Sequence, residues 1–290
     1  MLKTSPAVTP PETLAAPATT PTQTVPTAEQ RFTFENSGYL VLENFLAPDH
    51  VARLLAALDG AITRRRERVK REPAHARLTL VNGEKSTRIL YILEDDPLFL
   101  ELLDWPALLP YVRELLNPRF HYHASDAIVE QGVNFLARKG DWHIDGHDRG
   151  YRGLGRPIPL LQLKVGIYLS DMTSPWRGNL TVVPGSHKAN REPDPADLQK
   201  RELFPGAVQV CAPAGTAILF HNAIWHTAAP FNRPEDSRTM LYYAYEHHWM
   251  LGAEGHWDYS DDFYNRRLSP EQRKLFHGCL FTPKEHRHFF

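Results

Sequence analysis

The sequence predicts an α+β protein, with helices gathered in its first part followed by a β sandwich or barrel. Two observations carry this expectation. Up to Leu116, apolar residues recur at helical spacing behind prolines suited to a first turn. From Ala127 to Glu246 the pattern changes to short apolar runs separated by Gly and Pro, which read as strands and turns.

The elements follow in order. Between Thr4 and Ala28, 19 of 25 positions are Pro, Thr or Ala. Such a stretch lacks the large apolar groups that offset ordering entropy. It has neither the apolar core of a secretory signal nor any arginine before Arg31. Residues 1–30 are therefore expected to form a disordered tail, and residues 31–290 a single domain. Residues 39–45 read as a strand. Pro48 and Asp49 open a helix whose buried face should comprise Val51, Leu54, Leu55, Leu58 and Ile62, with residues 64–71 as its basic, solvated end. Residues 88–93 read as a strand, and 97–103 and 106–116 as short helices. Residues 127–137, 160–170, 180–183, 208–211, 216–220 and 239–246 read as strands, and a last helix covers about 270–277.

Bulk properties narrow the function. The chain has 290 residues, 42% apolar and 23% charged, with a net charge of −1. That balance gives no global electrostatic case for nucleic acid or an anionic membrane. No apolar run is long enough to span a bilayer. Cys211 and Cys279 form no metal or redox spacing, which points to a reducing compartment, the cytoplasm.

The most informative residues are His143 and Asp145, in Asp141-Trp142-His143-Ile144-Asp145-Gly146, and the distant His226, in Ile224-Trp225-His226-Thr227. Residues two apart on a strand share a face, so one short strand can offer an imidazole and a carboxylate together. Two imidazoles and one carboxylate suit one face of Fe(II) and leave its other positions open. His-x-Asp alone is a weak signal among 15 histidines. His221, five residues before His226, competes for the distal role.

Several stretches, taken together, resemble the phytanoyl-CoA dioxygenase family of iron(II)/2-oxoglutarate-dependent oxygenases. Gly38-Tyr-Leu-Val-Leu-Glu-Asn-Phe-Leu46 is similar to its opening strand, and Trp142-His-Ile-Asp145 to its proximal metal motif. Gly178-Asn-Leu-Thr-Val-Val-Pro-Gly-Ser-His187 resembles its most recognisable block, and His226 followed by Arg238 its distal ligand and co-substrate anchor. The resemblance spans roughly residues 34 to 249.

The resemblance implies a double-stranded β-helix, a jelly roll with Fe(II) held at its open end by His143, Asp145 and His226. It favours His226 over His221 and leaves His187 a structural role. It implies 2-oxoglutarate as co-substrate, gripped by Arg238 through the planar fork that lysine lacks. Asn134, Gln131 and Lys164 are further candidates for the co-substrate. Arg149, Arg152 and Arg156, in the glycine-rich segment 146–159, are candidates for an acidic substrate, and that segment for a lid. Asn179 is read as shaping its turn, with a substrate contact as the alternative. Partners would be a small-molecule substrate, 2-oxoglutarate and molecular oxygen. Asp145 argues for hydroxylation or another oxidation, because halogenating relatives lack that carboxylate. Two other readings remain open: a jelly-roll metalloprotein that does not use 2-oxoglutarate, and a catalytically silent ligand-binding barrel.

Overall fold

The strand that carries Arg238 alternates strictly. In β10 (Ser237–His247), Leu241, Tyr243 and Tyr245 are buried in one apolar cluster, while Met240 and Tyr242 belong to another. Successive side chains of a strand point to opposite faces, so β10 lies between two packed layers. The computed structural model describes residues 25–82, 86–132, 142–146, 151–194, 196, 203–250 and 259–276.

A seven-stranded sheet runs in the order β1-β8-β5-β10-β4-β3-β2, and a smaller one in the order β7-β6-β9. The members are β1 (Tyr39–Leu42), β2 (Thr79–Asn82), β3 (Ser86–Leu90), β4 (Phe120–Gln131), β5 (Gln162–Tyr168), β6 (Leu180–Val182), β7 (Val208–Gln209), β8 (Ala217–His221), β9 (His226–Ala228) and β10. All these pairings are antiparallel. Val41, Tyr168, Leu180, Val182, Val210, Ile218, Phe220 and Met240 fill the space between the sheets. This is the predicted α+β jelly roll.

The other face of the large sheet packs on helices: α1 (Ala28–Ser37), α2 (Pro48–Arg71), α3 (Pro97–Glu101), α4 (Leu109–Leu115) and the C-terminal α5 (Pro270–Arg273). Leu54 and Leu58 of α2 and Phe99 of α3 join Leu163, Val165, Leu219 and Leu241 in one cluster. Tyr243 and Tyr245 cross this layer, donating their hydroxyls to the carbonyls of Phe99 (2.8 Å) and Leu103 (2.7 Å). Each buried hydroxyl is thereby satisfied and ties the sheet to the helical layer.

Four expectations need correction. Residues 28–30, expected in the tail, belong to α1, where Thr27 caps the helix in a reciprocal box with Gln30. Leu55 is exposed, lying outside the stripe set by Val51, Leu54 and Leu58. The basic end of α2 is not simply solvated, since Arg65 makes a two-point bond to Asp95 (2.9 and 2.6 Å) and Arg66 donates to Thr87. The strand expected at 127–137 begins at Phe120, and residues 133–137 lie outside the described residues.

Candidate metal centre

His226 opens β9 directly opposite Val182 of β6. Across from it, His143 forms a paired bridge: each main-chain N–H donates to the other's carbonyl at 3.0 Å. Asp145 N–H donates to the Asn222 carbonyl at 2.8 Å, just before the chain turns at Gly146. His143 is thus an isolated bridge residue rather than part of a regular strand. Main-chain pairing still brings the two predicted segments together.

Donor atoms of His143, Asp145 and His226 all lie within 4.8 Å of one another. The rings of His143 and His226 are 4.3 Å apart, and His226 Nε2 is 3.9 Å from Asp145 Oδ2. His226 Nδ1 is 2.9 Å from the Ile224 carbonyl, a bond that fixes the proton on Nδ1 and leaves the Nε2 lone pair facing the cluster. Burial, reinforced by His143, lowers the His226 pKa to about 4, so the ring is neutral as a metal ligand must be. For Asp145, burial alone would raise the pKa. The coulombic pull of its neighbours, Lys164 first, outweighs it and holds the carboxylate ionised. Lys164 Nζ stands 3.6 Å from Asp145 Oδ1, whereas Oδ2 is buried with no hydrogen-bond partner. An orphaned carboxylate oxygen facing an imidazole lone pair fits a cation between them.

The surrounding blocks brace these three side chains. Ser186 Oγ accepts from Trp225 N–H (2.9 Å), and Val183 N–H donates to the Trp225 carbonyl (2.9 Å), so the segment 178–187 fixes the approach to His226. Behind the ligands, Trp142, Ile144, Tyr151, Ile158 and Trp225 share an apolar cluster. Gly146 has φ +71, and a Cβ there would meet the Tyr151 ring at 2.0 Å. Tyr151 in turn donates to Glu246 (2.9 Å), whose carboxylate also meets His123 (2.7 Å) and His121 (3.5 Å). Tyr151 and Ile158 therefore anchor two points of the segment predicted as a lid.

Arg238 lies on β10 with its side chain 4% exposed. Nη1 donates to the Gly178 carbonyl (3.0 Å), Nη2 to Glu130 Oε2 (2.5 Å), and Nε is buried without a partner. Gly178 is itself at φ +80 with the Phe231 ring against it, the backbone geometry that presents its carbonyl.

The remaining candidates separate. Lys164 lies beside Asp145 with its ammonium 5.6 Å from the Tyr242 ring centre. Gln131 ends β4, and alternation puts it on the face opposite Glu130, away from Arg238. Asn179 is fully buried: its Oδ1 accepts from Arg177 N–H, and its Nδ2 donates to the Met172 and Ser174 carbonyls, so its amide is consumed within its own turn. Arg156 pairs with Glu192 (2.7 Å) and lies 6.0 Å from the Trp225 ring centre, a contact that supports Trp225. Asn134, Arg149 and the side chain of Arg152 lie outside the described residues. His221 lies outside the His143–Asp145–His226 group: its Nδ1 accepts from Ala223 N–H (2.9 Å) and its ring packs on His187 at 4.8 Å. His187 in turn lies 3.1 Å from the Glu35 carbonyl.

Burial lowers the His221 pKa to about 3. A histidine kept neutral in the native state stabilises fully above its unfolded value and progressively less below it, as the unfolded chain alone takes up the proton. The metal-free protein should therefore lose stability as pH falls from about 6.5 toward 4, at about 1.4 kcal/mol per unit for each such group. Urea midpoints flat across that range would contradict this.

Sequence reading missed Glu130, Asn222 and the cluster around Glu246. A signal for Glu130 was present: Asp126, Ile128 and Glu130 alternate along one face of β4, with Ala127 and Val129 on the other. Two acids on that face imply partners within the fold.

Fold and side-chain geometry together place the chain in the class of jelly-roll proteins that gather two histidines and a carboxylate as a candidate metal site. Within that class, the phytanoyl-CoA dioxygenase (PhyH) family model matches residues 34–240, and the chain belongs to this family. An ectoine dioxygenase of Bordetella bronchiseptica is 30% identical over 166 residues, which cover 56% of this chain and 49% of that protein. The match thus spans about half the relative's length. The crystal structure of EctD from S. alaskensis with 2-oxoglutarate and 5-hydroxyectoine is 26% identical, covers 76% of each chain and has a TM-score of 0.59. HygX from Streptomyces hygroscopicus, with nickel and 2-oxoglutarate bound, shares the fold at 20% identity and TM-score 0.59, over 78% of this chain and 89% of its own.

Proposed function

We propose that this protein is an iron(II)/2-oxoglutarate-dependent oxygenase that oxidises, most simply hydroxylates, a small-molecule substrate. The observation that carries the reading is a pair of orphaned buried atoms of opposite character. Among the described residues, Asp145 Oδ2 has no hydrogen-bond donor and Arg238 Nε has no acceptor. His143, Asp145 and His226 would hold Fe(II), and Arg238 would take the distal carboxylate of 2-oxoglutarate. The charges support this. Arg88, Lys164 and Arg238 face Asp126, Glu130 and Asp145 around the same wall. Three described cations oppose three described carboxylates, so a divalent metal and a dicarboxylate enter as a balanced pair.

When bound, the metal and co-substrate supply oxygen activation coupled to decarboxylation of 2-oxoglutarate to succinate and carbon dioxide. The chain's own residues bind, orient and exclude water. The Ile224 carbonyl orients the His226 ring, Lys164 offsets the charge of Asp145, and the cluster around Trp142 and Trp225 seals the back of the site. Among the described residues no helix is long and apolar enough to cross a membrane; a cytoplasmic location rests instead on Cys211 and Cys279, which form no metal or redox spacing.

Anaerobic loading with Fe(II) and 2-oxoglutarate, followed by oxygen and a metabolite extract, should yield succinate together with products heavier by one oxygen. Oxygen uptake without succinate would favour an iron enzyme that does not use 2-oxoglutarate. Failure of the protein to bind iron in anaerobic calorimetry would favour a silent barrel.

A further inference from the structure

We propose that Glu130 is an internal competitor for Arg238 and so sets the affinity for 2-oxoglutarate. The inference rests on the co-substrate reading above and deepens it. Arg238 and Glu130 are directly paired across β10 and β4, within an antiparallel ladder that continues to His247 and Phe120. Their side chains meet at 2.5 Å with 4% and 14% exposure. The ladder pins both Cα atoms at facing positions, which keeps the carboxylate within reach of the guanidinium.

Before co-substrate arrives, Glu130 neutralises a guanidinium that would otherwise be a buried, uncompensated cation. The incoming distal carboxylate can reach the unpartnered Nε and the remaining Nη hydrogens. It must do so beside a second carboxylate in a poorly solvated pocket, where like charges repel strongly. Glu130 therefore stabilises the free protein and opposes the complex, and both effects lower 2-oxoglutarate affinity. Glutamine has the same shape and keeps an acceptor for Nη2 but carries no charge. Glu130→Gln thus leaves an unpaired cation in the free protein and one cation–anion pair in the complex.

The expected sign is the opposite of that for a residue that holds the co-substrate. In anaerobic titrations of the iron-loaded protein followed by calorimetry, E130Q should bind 2-oxoglutarate about tenfold tighter or more. Pyruvate keeps the 2-oxo acid group but lacks the distal carboxylate, so its affinity should be unchanged. Glu130→Asp keeps the charge one methylene further back and should fall between wild type and E130Q. Without co-substrate E130Q should melt below wild type, and 2-oxoglutarate should raise its melting temperature by the larger increment. If wild type binds 2-oxoglutarate and E130Q binds it equally or more weakly, Glu130 positions Arg238 instead and this inference is lost alone. If E130Q tightens pyruvate as much, the effect does not act through the distal carboxylate and the inference is likewise lost. If no variant binds 2-oxoglutarate, the co-substrate reading and the inference fall together.

Discussion

His143→Ala is expected to abolish turnover and weaken Fe(II) binding by more than about 100-fold, the upper end of what an outer hydrogen-bond partner of a ligand contributes. The side chain is one of three proposed metal donors, and its pairing with His226 in the ladder needs only the backbone. The bridge to His226 is made by the main chain at both ends, and alanine retains it. The variant should therefore fold with near wild-type stability, within the small range typical of substitutions that disturb no packing or buried network. A second effect follows from the 4.3 Å approach of the two rings. His143 is one of the groups that lower the His226 pKa, after burial itself. Its removal should move the His226 titration in the metal-free protein upward, toward the ordinary value, as NMR of the imidazole would reveal. Retained activity in His143→Ala would end the metal-centre assignment outright. Loss of activity accompanied by unfolding would mean that the ring has a packing role that the backbone bridge does not convey.

The parts of the fold legible in the sequence are those fixed by local patterns. The strands expected at 160–170, 216–220 and 239–246 appear as β5, β8 and β10, because a strand packed on both faces is apolar throughout and announces itself. The α2 stripe was legible through Val51, Leu54 and Leu58. Leu55, one residue and 100° around the helix from Leu54, was not excluded by a simple count of apolar residues. β9 spans only three residues and has no periodicity to detect; what makes it a strand is its pairing with Val182 and Thr181 of β6. The α1 start was written in Thr27 and Gln30, but the surrounding Pro/Thr/Ala composition masked a capping box only four residues long.

The site divides along the same line. Residue types and chain order pointed to His143, Asp145, His226 and Arg238. What surrounds them comes from register, which no local pattern encodes. Glu130 meets Arg238 because β4 pairs with β10 at that offset, and His121 and His123 converge on Glu246 because an irregularity between Ala244 and Tyr245 shifts the ladder there. Asn179, read in sequence as shaping its turn, is held there by the Met172 and Ser174 carbonyls, whereas Arg156, a substrate candidate in sequence, is paired with Glu192 from elsewhere in the fold.

Arg238→Met should show both sides of the buried pair at once. It removes the planar donor set proposed for the co-substrate, so 2-oxoglutarate should bind at least about 10- to 100-fold more weakly, the scale of one or two charge-assisted hydrogen bonds. It also strands Glu130 as a buried carboxylate without its cation, a defect that typically costs about 3–5 kcal/mol. A reduced melting temperature should therefore accompany the loss of affinity. Replacing both partners separates the two effects. Arg238→Met with Glu130→Met leaves no stranded charge, and apolar pairs of similar volume often match a buried ion pair in stability. The double variant should recover most of the lost stability and none of the 2-oxoglutarate affinity. Arg238→Lys provides a third point: it keeps a charge opposite Glu130 and so most of the stability, but lacks the rigid fork and should still bind co-substrate poorly. A single variant as stable as wild type would show that Glu130 has another way to satisfy its charge. A double variant that regained 2-oxoglutarate binding would transfer the anchoring role to another cation, with Lys164, already within 3.6 Å of Asp145, the next to examine.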